Sequence, residues 1–387
     1  MTAFNPISAD LEPVAITPTT ASYTGEVVYM YAFDIAYEMP RLPIRTLLGQ
    51  PIAHFRMDVS KRNPRQHMFF SPQMVLLPPV EYPGPQGRLR VERAIKLLPL
   101  GSISITMRVP FTVRTINDLV AYHDITFSTG SLELEVRRLA EEARQELAPY
   151  CSRPASQVRD EEAYTVFNIR SMPEVTAGSK FNAEDWLRTH RREVAALLTQ
   201  EEDVAVLSQQ EVEESTSRLL SYYKHDLVVM DWDAALIVAD PRDVEETLYV
   251  MELANLQLSE LEAYDRILDS AVERSYRDLE KRGGRSKRAI LRDLREIRID
   301  LARLSDELSN ITKFFGDWHL ARIYQILAKR FHLSDWTKTI NSKLTMLDNL
   351  YSLHKLDQNN RLMLILEATI VLLFIIDLVI LVLGMRR

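Results

Sequence analysis

Residues Leu362–Met385 read LMLILEATIVLLFIIDLVILVLGM. These 24 residues make about 36 Å of α-helix, against a hydrocarbon core about 30 Å thick. Arg361 closes the run on one side, Arg386 and Arg387 on the other. Globular cores seldom need so long an apolar stretch. The pattern therefore predicts one transmembrane helix over 362–385, with a buried core helix as the alternative. Two carboxylates, Glu367 and Asp377, lie inside it, about 80° apart around a helix. Charge at bilayer depth is costly and turns toward protein or water. Both carboxylates can thus face one partner helix, from a second copy or from another membrane protein. Glu367 lies close enough to Arg361 to reach the interface instead, and a proton or ion path is a second reading of the pair.

Orientation follows from the other end of the chain. MTAFNPISADLEPVAITPTT carries Asp10 and Glu12, with neither a basic n-region nor an apolar core. It does not read as a secretory signal; residues 1–20 read as disordered. Lys343, Lys355 and Arg361 before the span, against Arg386 and Arg387 after it, give too small a bias to orient it by charge. The expectation is a tail anchor, single-pass. Residues 1–361 stay on the side of synthesis: the cytoplasm, or the mitochondrial matrix in an organelle.

Upstream of the span, residues 241–361 read as helical. Pro241 suits a first helical turn, and Leu258, Leu261, Leu268, Val272 and Leu279 form a near-heptad stripe. Ile290, Leu294, Ile297, Leu301, Leu304, Leu308, Ile311 and Phe315 follow at alternating spacings of four and three, an a/d seam. Between the two lies KRGGRSKR, with Lys281, Arg282, Arg285, Lys287 and Arg288. Two such helices joined by a short turn read as an antiparallel coiled-coil-like stalk. The alternative is an amphipathic helix packed on the N-terminal domain. The basic turn reads as a solvated tip, a contact for anionic lipid, or a contact for RNA phosphates. No aromatic side chain interleaves it. A further stripe, Trp336, Ile340, Leu344, Leu347, Tyr351 and His354, runs toward Leu362 without a helix breaker.

Residues 21–240 look α+β, with a candidate subdomain boundary near 150. Val27–Phe33, Met74–Leu77, Leu89–Leu98, Ser102–Val113, Ala163–Ile169, Asp226–Met230 and Ala234–Val238 read as strands. Ser131–Leu147, Phe181–Thr199 with Asn182 as cap, and Ser208–Leu219 read as helices. The prolines of Pro72–Pro85 read as a loop. The fold class is therefore α+β: a mixed N-terminal region, then the stalk, then the membrane helix.

Net charge is −7, so polyanion binding by the whole surface is excluded and any basic site must be local. Cys151 is the single cysteine, which rules out an intrachain disulfide. There is no glycine-rich phosphate loop, nucleophile elbow or HExxH motif, and the eight histidines are scattered. The best chemical candidate is Asp231-Trp232-Asp233. In a strand, residues two apart share a face, so Asp231 and Asp233 can hold a hard cation; aspartates flanking a strand turn are the plainer reading. No catalytic residue, cofactor or metal is assigned.

Two stretches carry a resemblance: SYYKHDLVVMDWDAALIVADPRDVEETLYVMELANLQLSELEAYDRIL (Ser221–Leu268) and Phe314–Leu383, with Asn341 and Leu366-Glu367 as marks. Their order of strand pair, long helix, aromatic-led helix and apolar helix is similar to the required-for-meiotic-nuclear-division family of bacteria, fungi and mitochondria. The resemblance implies a membrane-anchored, non-enzymatic organiser, whose mitochondrial relatives support translation by the organelle's ribosomes. The sequence reading is a tail-anchored scaffold that meets membrane lipid and either itself or another membrane protein. Its alternatives are a metal-dependent membrane enzyme using Asp231 and Asp233, and a ribosome or RNA tether through 281–288.

Overall fold

The computed structural model describes residues 22–39, 45–54, 73–84, 87–98, 101–127, 130–159, 161–173, 181–239, 241–280, 295, 299 and 318–384. Residues 1–20, the basic turn 281–288 and nearly all of the seam 290–315 lie outside them.

Strand β1 (Tyr23–Asp34) sets the architecture. Its side chains alternate in direction, yet both sets are apolar. Val27, Tyr29, Tyr31 and Phe33 enter one core, Val28 and Met30 another. A strand apolar on both faces must be covered on both. It pairs antiparallel with β7 (Ser102–Val113) on one side and β11 (Glu162–Ser171) on the other. Val27 stands between Val109 and Phe167.

The sheet grows outward from this trio. Beyond β11 come β14 (Ala234–Val238), β13 (Leu227–Met230) and β12 (Leu219–Leu220). Beyond β7 come β6 (Gly87–Leu97), β5 (Gln73–Gly84), β4 (Gln50–His54) and β3 (Thr46–Leu47), ten strands in all. The β11–β14 pair is parallel; the other neighbours are antiparallel. Two small ribbons complete the strands: β2 (Ala36–Glu38) with β10 (Ser152–Pro154), and β8 (Thr126–Phe127) with β9 (Gly130–Ser131).

Helices α1 (Leu132–Leu147) and α2 (Ala183–Leu198) contribute to the first core. The Asn182 side chain caps α2, as its position predicts, and the Ser131 hydroxyl caps α1, so that helix begins at Leu132. The short α3 (Gln209–Ser215) sits against α2. The second core takes α4 (Pro241–Glu280), α5 (Trp318–Arg330) and α6 (Leu333–Gly384). The chain is thus a mixed α/β body with one large sheet between helical layers.

Four readings change. Pro72–Pro85 is mostly strand: β5 carries Pro78 and Pro79 through a register shift between Leu77 and Val80. Proline has no N–H for the ladder, so the bulge places both where none is needed. Arg93 donates to the freed Pro78 carbonyl at 2.8 and 3.2 Å. The helix read over Ser208–Leu219 ends at Ser215, where Ser215 and Thr216 turn their hydroxyls back onto carbonyls four residues earlier. The region near 150 does not divide the sheet, since β7 and β11 from either side flank the same β1. Lastly, α4 does not leave the domain at Pro241. Its first half lies on the sheet, packed against β1 and β11.

Past the sheet, α4 finds a helical partner. Leu261, Tyr264, Leu268 and Ala271 join one apolar cluster with Ile340, Leu344 and Leu347 of α6. Asn255 of α4 donates to the Glu162 carbonyl at the start of β11, the end of the sheet at which the Tyr164 ring meets Phe331 just before α6. Ten residues on along each helix, Lys343 pairs with Asp265 and Asp269 at 2.7 and 2.6 Å. The two helices therefore run in the same direction, away from the sheet.

Gly25 tests the central trio. A Cβ there would stand 2.0 Å from the Asn168 carbonyl oxygen and 2.7 Å from Phe111. Gly25→Ala should destabilise the domain by about 3 kcal/mol, the upper range of overpacking, in chemical denaturation. An unchanged midpoint would contradict the packing described.

Candidate functional site

Between α4 and the sheet lies a buried polar seam. On this face β7 presents Ser102, Ser104, Thr106 and Arg108, one side of a strand at period two, with Lys96 of β6 beside them. From α4 come Glu245, Glu252 and Glu260. Glu252, 2% exposed, forms an ion pair with Lys96 and accepts from Ser104 Oγ at 2.6 Å and Thr106 Oγ1 at 3.4 Å. Glu260 accepts from Ser102 Oγ. Arg108 grips Glu245 through both terminal nitrogens at 2.6 and 2.7 Å. It stands 3.7 Å from Glu26, which also binds Arg170 at 2.8 Å and the Asn168 amide at 3.2 Å.

The charges follow this geometry. Burial alone would lower the Arg108 pKa, but the Glu245 hydrogen bond and charge outweigh it and raise it. Burial would likewise raise Glu245, yet Arg108 holds it below the usual carboxylate range. The serine hydroxyls are closed off from solvent, with Ser102 at 2% and Ser104 at 1% exposure. The seam binds helix to sheet.

Where α4 leaves the sheet, two carboxyls are less well served. Glu162 at the start of β11 is pushed up to about 7, by burial first and then by Glu262 and Asp233, against Arg266. Asp34 at the end of β1 is pushed up to about 6 by burial, against Arg159 and Arg266.

Asp231 and Asp233 do not act as a pair. They lie in the turn between β13 and β14, where period-two alternation no longer applies. Asp231 is buried and pairs with Arg330, which also holds Glu214 at 2.9 Å. Burial nonetheless raises the Asp231 pKa. Asp233 is exposed. Among the described residues, no three His, Cys, Asp or Glu side chains are grouped to hold a metal ion.

The other distinctive feature is the far end of α6. Every residue from Met363 to Ile376 is exposed, with Met363 at 71% and Phe374 at 75%. Glu367 lies within this stretch; the Asp377 side chain and the five basic residues of 281–288 fall outside the described residues. Among the described residues, no helix is long and apolar enough to cross a membrane. Side chains are described over Met363–Ile376, 14 residues or about 21 Å of that run at 1.5 Å per residue.

Sequence reasoning missed Glu252, Glu260, Lys96 and Arg330. The signal was thin. In VMELANLQLSELEAY (Val250–Tyr264) nothing local marks the glutamates as buried, and their partners lie in strands far off in the chain.

The family model described as "Uncharacterized protein MJ0711, N-terminal domain" matches residues 24–245, more than half of the chain. A Methanocaldococcus jannaschii protein described as "Uncharacterized protein MJ0711" is 29% identical over 161 residues, 41% of this chain and 50% of that protein. The chain spans about half the length of this relative. No solved structure matches the chain.

The seam and its exit carry one prediction each. Glu252→Ala removes the carboxylate that Lys96, Ser104 and Thr106 share and should cost about 3–5 kcal/mol in denaturant unfolding, as for a buried pair broken on one side; a loss under about 1 kcal/mol would show the pair to act as a surface one. Glu162 binds its proton more tightly folded than unfolded, so its stabilising effect is full at acid pH and fades as pH rises from about 4.5 through about 7. Glu162→Gln should flatten the fall in melting temperature across that window. A slope identical to that of the parent chain would show that Glu162 ionises freely.

Proposed function

The chain belongs to the MJ0711 N-terminal-domain family, and we propose that within it this protein is a membrane-held scaffold. In this reading the mixed α/β body and the paired helices bind a protein partner, and the end of α6 enters the bilayer. The carrying observation is the exposed run Met363–Ile376, apolar around most of its circumference and continuous as one helix with the packed part of α6. Contiguous exposed apolar surface on this scale marks a partner or a membrane.

Magnitudes explain why the carboxylates matter. Leu362–Met385 holds 17 Leu, Ile, Val and Phe residues, worth about 5–10 kcal/mol on an insertion scale. Two carboxylates at central depth would cost about 5–7 kcal/mol. The two terms are of similar size, so in this reading Glu367 and Asp377 gain from facing another helix, a second copy or a foreign membrane protein.

Register supports the same arrangement. Thirteen residues beyond the midpoint of Asp265 and Asp269 is Glu280; thirteen beyond Lys343 is Leu356. Glu280 therefore ends level with the approach to Leu362, and Lys281–Arg288 follow it in the sequence. We assign those basic residues to anionic headgroups in preference to ribosomal RNA. The resemblance to the required-for-meiotic-nuclear-division family rests largely on residues beyond the 24–245 match and points to the same kind of anchored, non-catalytic organiser. No observation favours the metal-enzyme alternative. The body is proposed to lie in the cytoplasm, or in the matrix of an organelle.

Alkaline carbonate extraction tests the proposal. The full chain should stay with the membrane pellet, and a chain stopped before Leu362 should be released. Full-length protein in the supernatant would overturn the anchor.

A further inference from the structure

We propose that the loop Ser221–His225, with His319 and Arg322 of α5, binds single-stranded nucleic acid by stacking bases and holding phosphates. Tyr222 and Tyr223 are 57% and 52% exposed, an unusual state for two adjacent large aromatics. Their rings meet edge to face at 4.7 Å; Tyr223 stacks on His225 at 5.4 Å with planes 9° apart, and Tyr222 meets His319 at 5.7 Å. Four rings thus form one cluster, with Tyr222, Tyr223 and His225 exposed and His319 half-buried at its edge.

The platform is rigid. Asp226 Oδ1 accepts from the Tyr222 and Tyr223 amides at 2.7 and 2.9 Å, and Ser221 Oγ donates to the Tyr223 carbonyl at 2.7 Å. The Lys224 carbonyl accepts from Ala183 at the start of α2 at 2.8 Å. Presenting these rings to a ligand therefore costs little ordering entropy.

Charge selects the ligand. Lys224 and His225 are exposed in the loop, and Arg322, three residues after His319 on the same helix face, is exposed beside it. The one acid of the loop, Asp226, is turned inward to cap it; the exposed acids Glu184 and Asp185 follow Ala183, whose amide bonds the Lys224 carbonyl, in the first turn of α2. Stackable rings flanked by cations fit a strand whose bases are unpaired and whose phosphates run alongside. A protein partner would use the tyrosines but would leave the cations without a specific role. The loop stands beside the start of α4, at the end of the sheet opposite the departing helices, since Leu227 pairs with Val238. On the anchored reading it faces away from the bilayer; binding itself does not depend on that reading.

The test uses the full chain in detergent and a fluorescein-labelled 12-nucleotide oligouridylate, read by anisotropy across a salt series. Binding should weaken as salt rises. Tyr222→Ala and Tyr223→Ala should each weaken it about fivefold or more, the Phe variants should retain it, and Lys224→Gln with Arg322→Gln should lower the salt slope. Melting temperatures equal to the parent's verify folding in these surface variants. No binding at low salt, parental affinity in both alanine variants, or cross-linking at these tyrosines to protein alone would each overturn the proposal. Carbonate extraction reports on the anchor separately.

Discussion

Burial of β1 on both faces is the constraint from which the rest follows. One face is covered by apolar neighbours, because β7 and β11 turn Ile103, Ile105, Met107, Val109, Phe167 and Ile169 toward the same core. The other is apolar only in part: Val28 and Met30 join Tyr164 and Val166 in the second core, but the same β7 puts Ser102, Ser104, Thr106 and Arg108 on that face. The covering helix must bring charges to meet them, and α4 does so at three points. Along β7, Arg108 to Ser102 spans about 20 Å at 3.3 Å per residue. Along α4, Glu245 to Glu260 spans about 22 Å at 1.5 Å per residue. The two rulers agree, so the pairs engage together in only one longitudinal position. Buried ion pairs seldom add much net stability against an apolar replacement. What this seam supplies is the register of α4, and with it the direction in which the helices leave the sheet.

That division also explains what is legible in the sequence. The strands from Val27 to Val238 can be read because alternation and β-branched runs are local properties. The caps at Ser131 and Asn182 are local as well. β5 is obscured by Pro78 and Pro79, whose accommodation depends on a bulge and on Arg93 in the next strand. The seam is illegible because its meaning is a contact: a glutamate in a helix looks alike whether it meets water or Lys96 in a distant strand. Asp231 draws notice for its neighbour Asp233, whereas its partner is Arg330, almost a hundred residues on. The platform at Tyr222 enters the sequence reading only within a resemblance, its exposure being a property of the folded loop.

The stalk reading illustrates a finer distinction. Periodicity in Leu258, Leu261 and Leu268 predicts a helix with a seam, and α4 has one. It does not say what fills the seam. Leu258 and Leu268 lie in one apolar cluster that holds both sheet strands and α6, so one continuous stripe serves two kinds of partner. A heptad repeat reports that a face is apolar; only the register set elsewhere decides who meets it.

Continuity of α6 then limits where, on the anchored reading proposed above, Glu367 can find a partner. From Leu333 to Leu383 the sequence holds neither proline nor glycine, so the helix has no obvious site to swivel. Ile340, Leu344 and Leu347 face α4. Glu367 follows Ile340 by 27 residues, which at 100° per residue places it about half a turn away, on the opposite side. On the proposed anchored reading, a helix that pairs with Glu367 therefore approaches from the side away from α4, and the end of α6 that enters the bilayer is also the end that meets a partner helix.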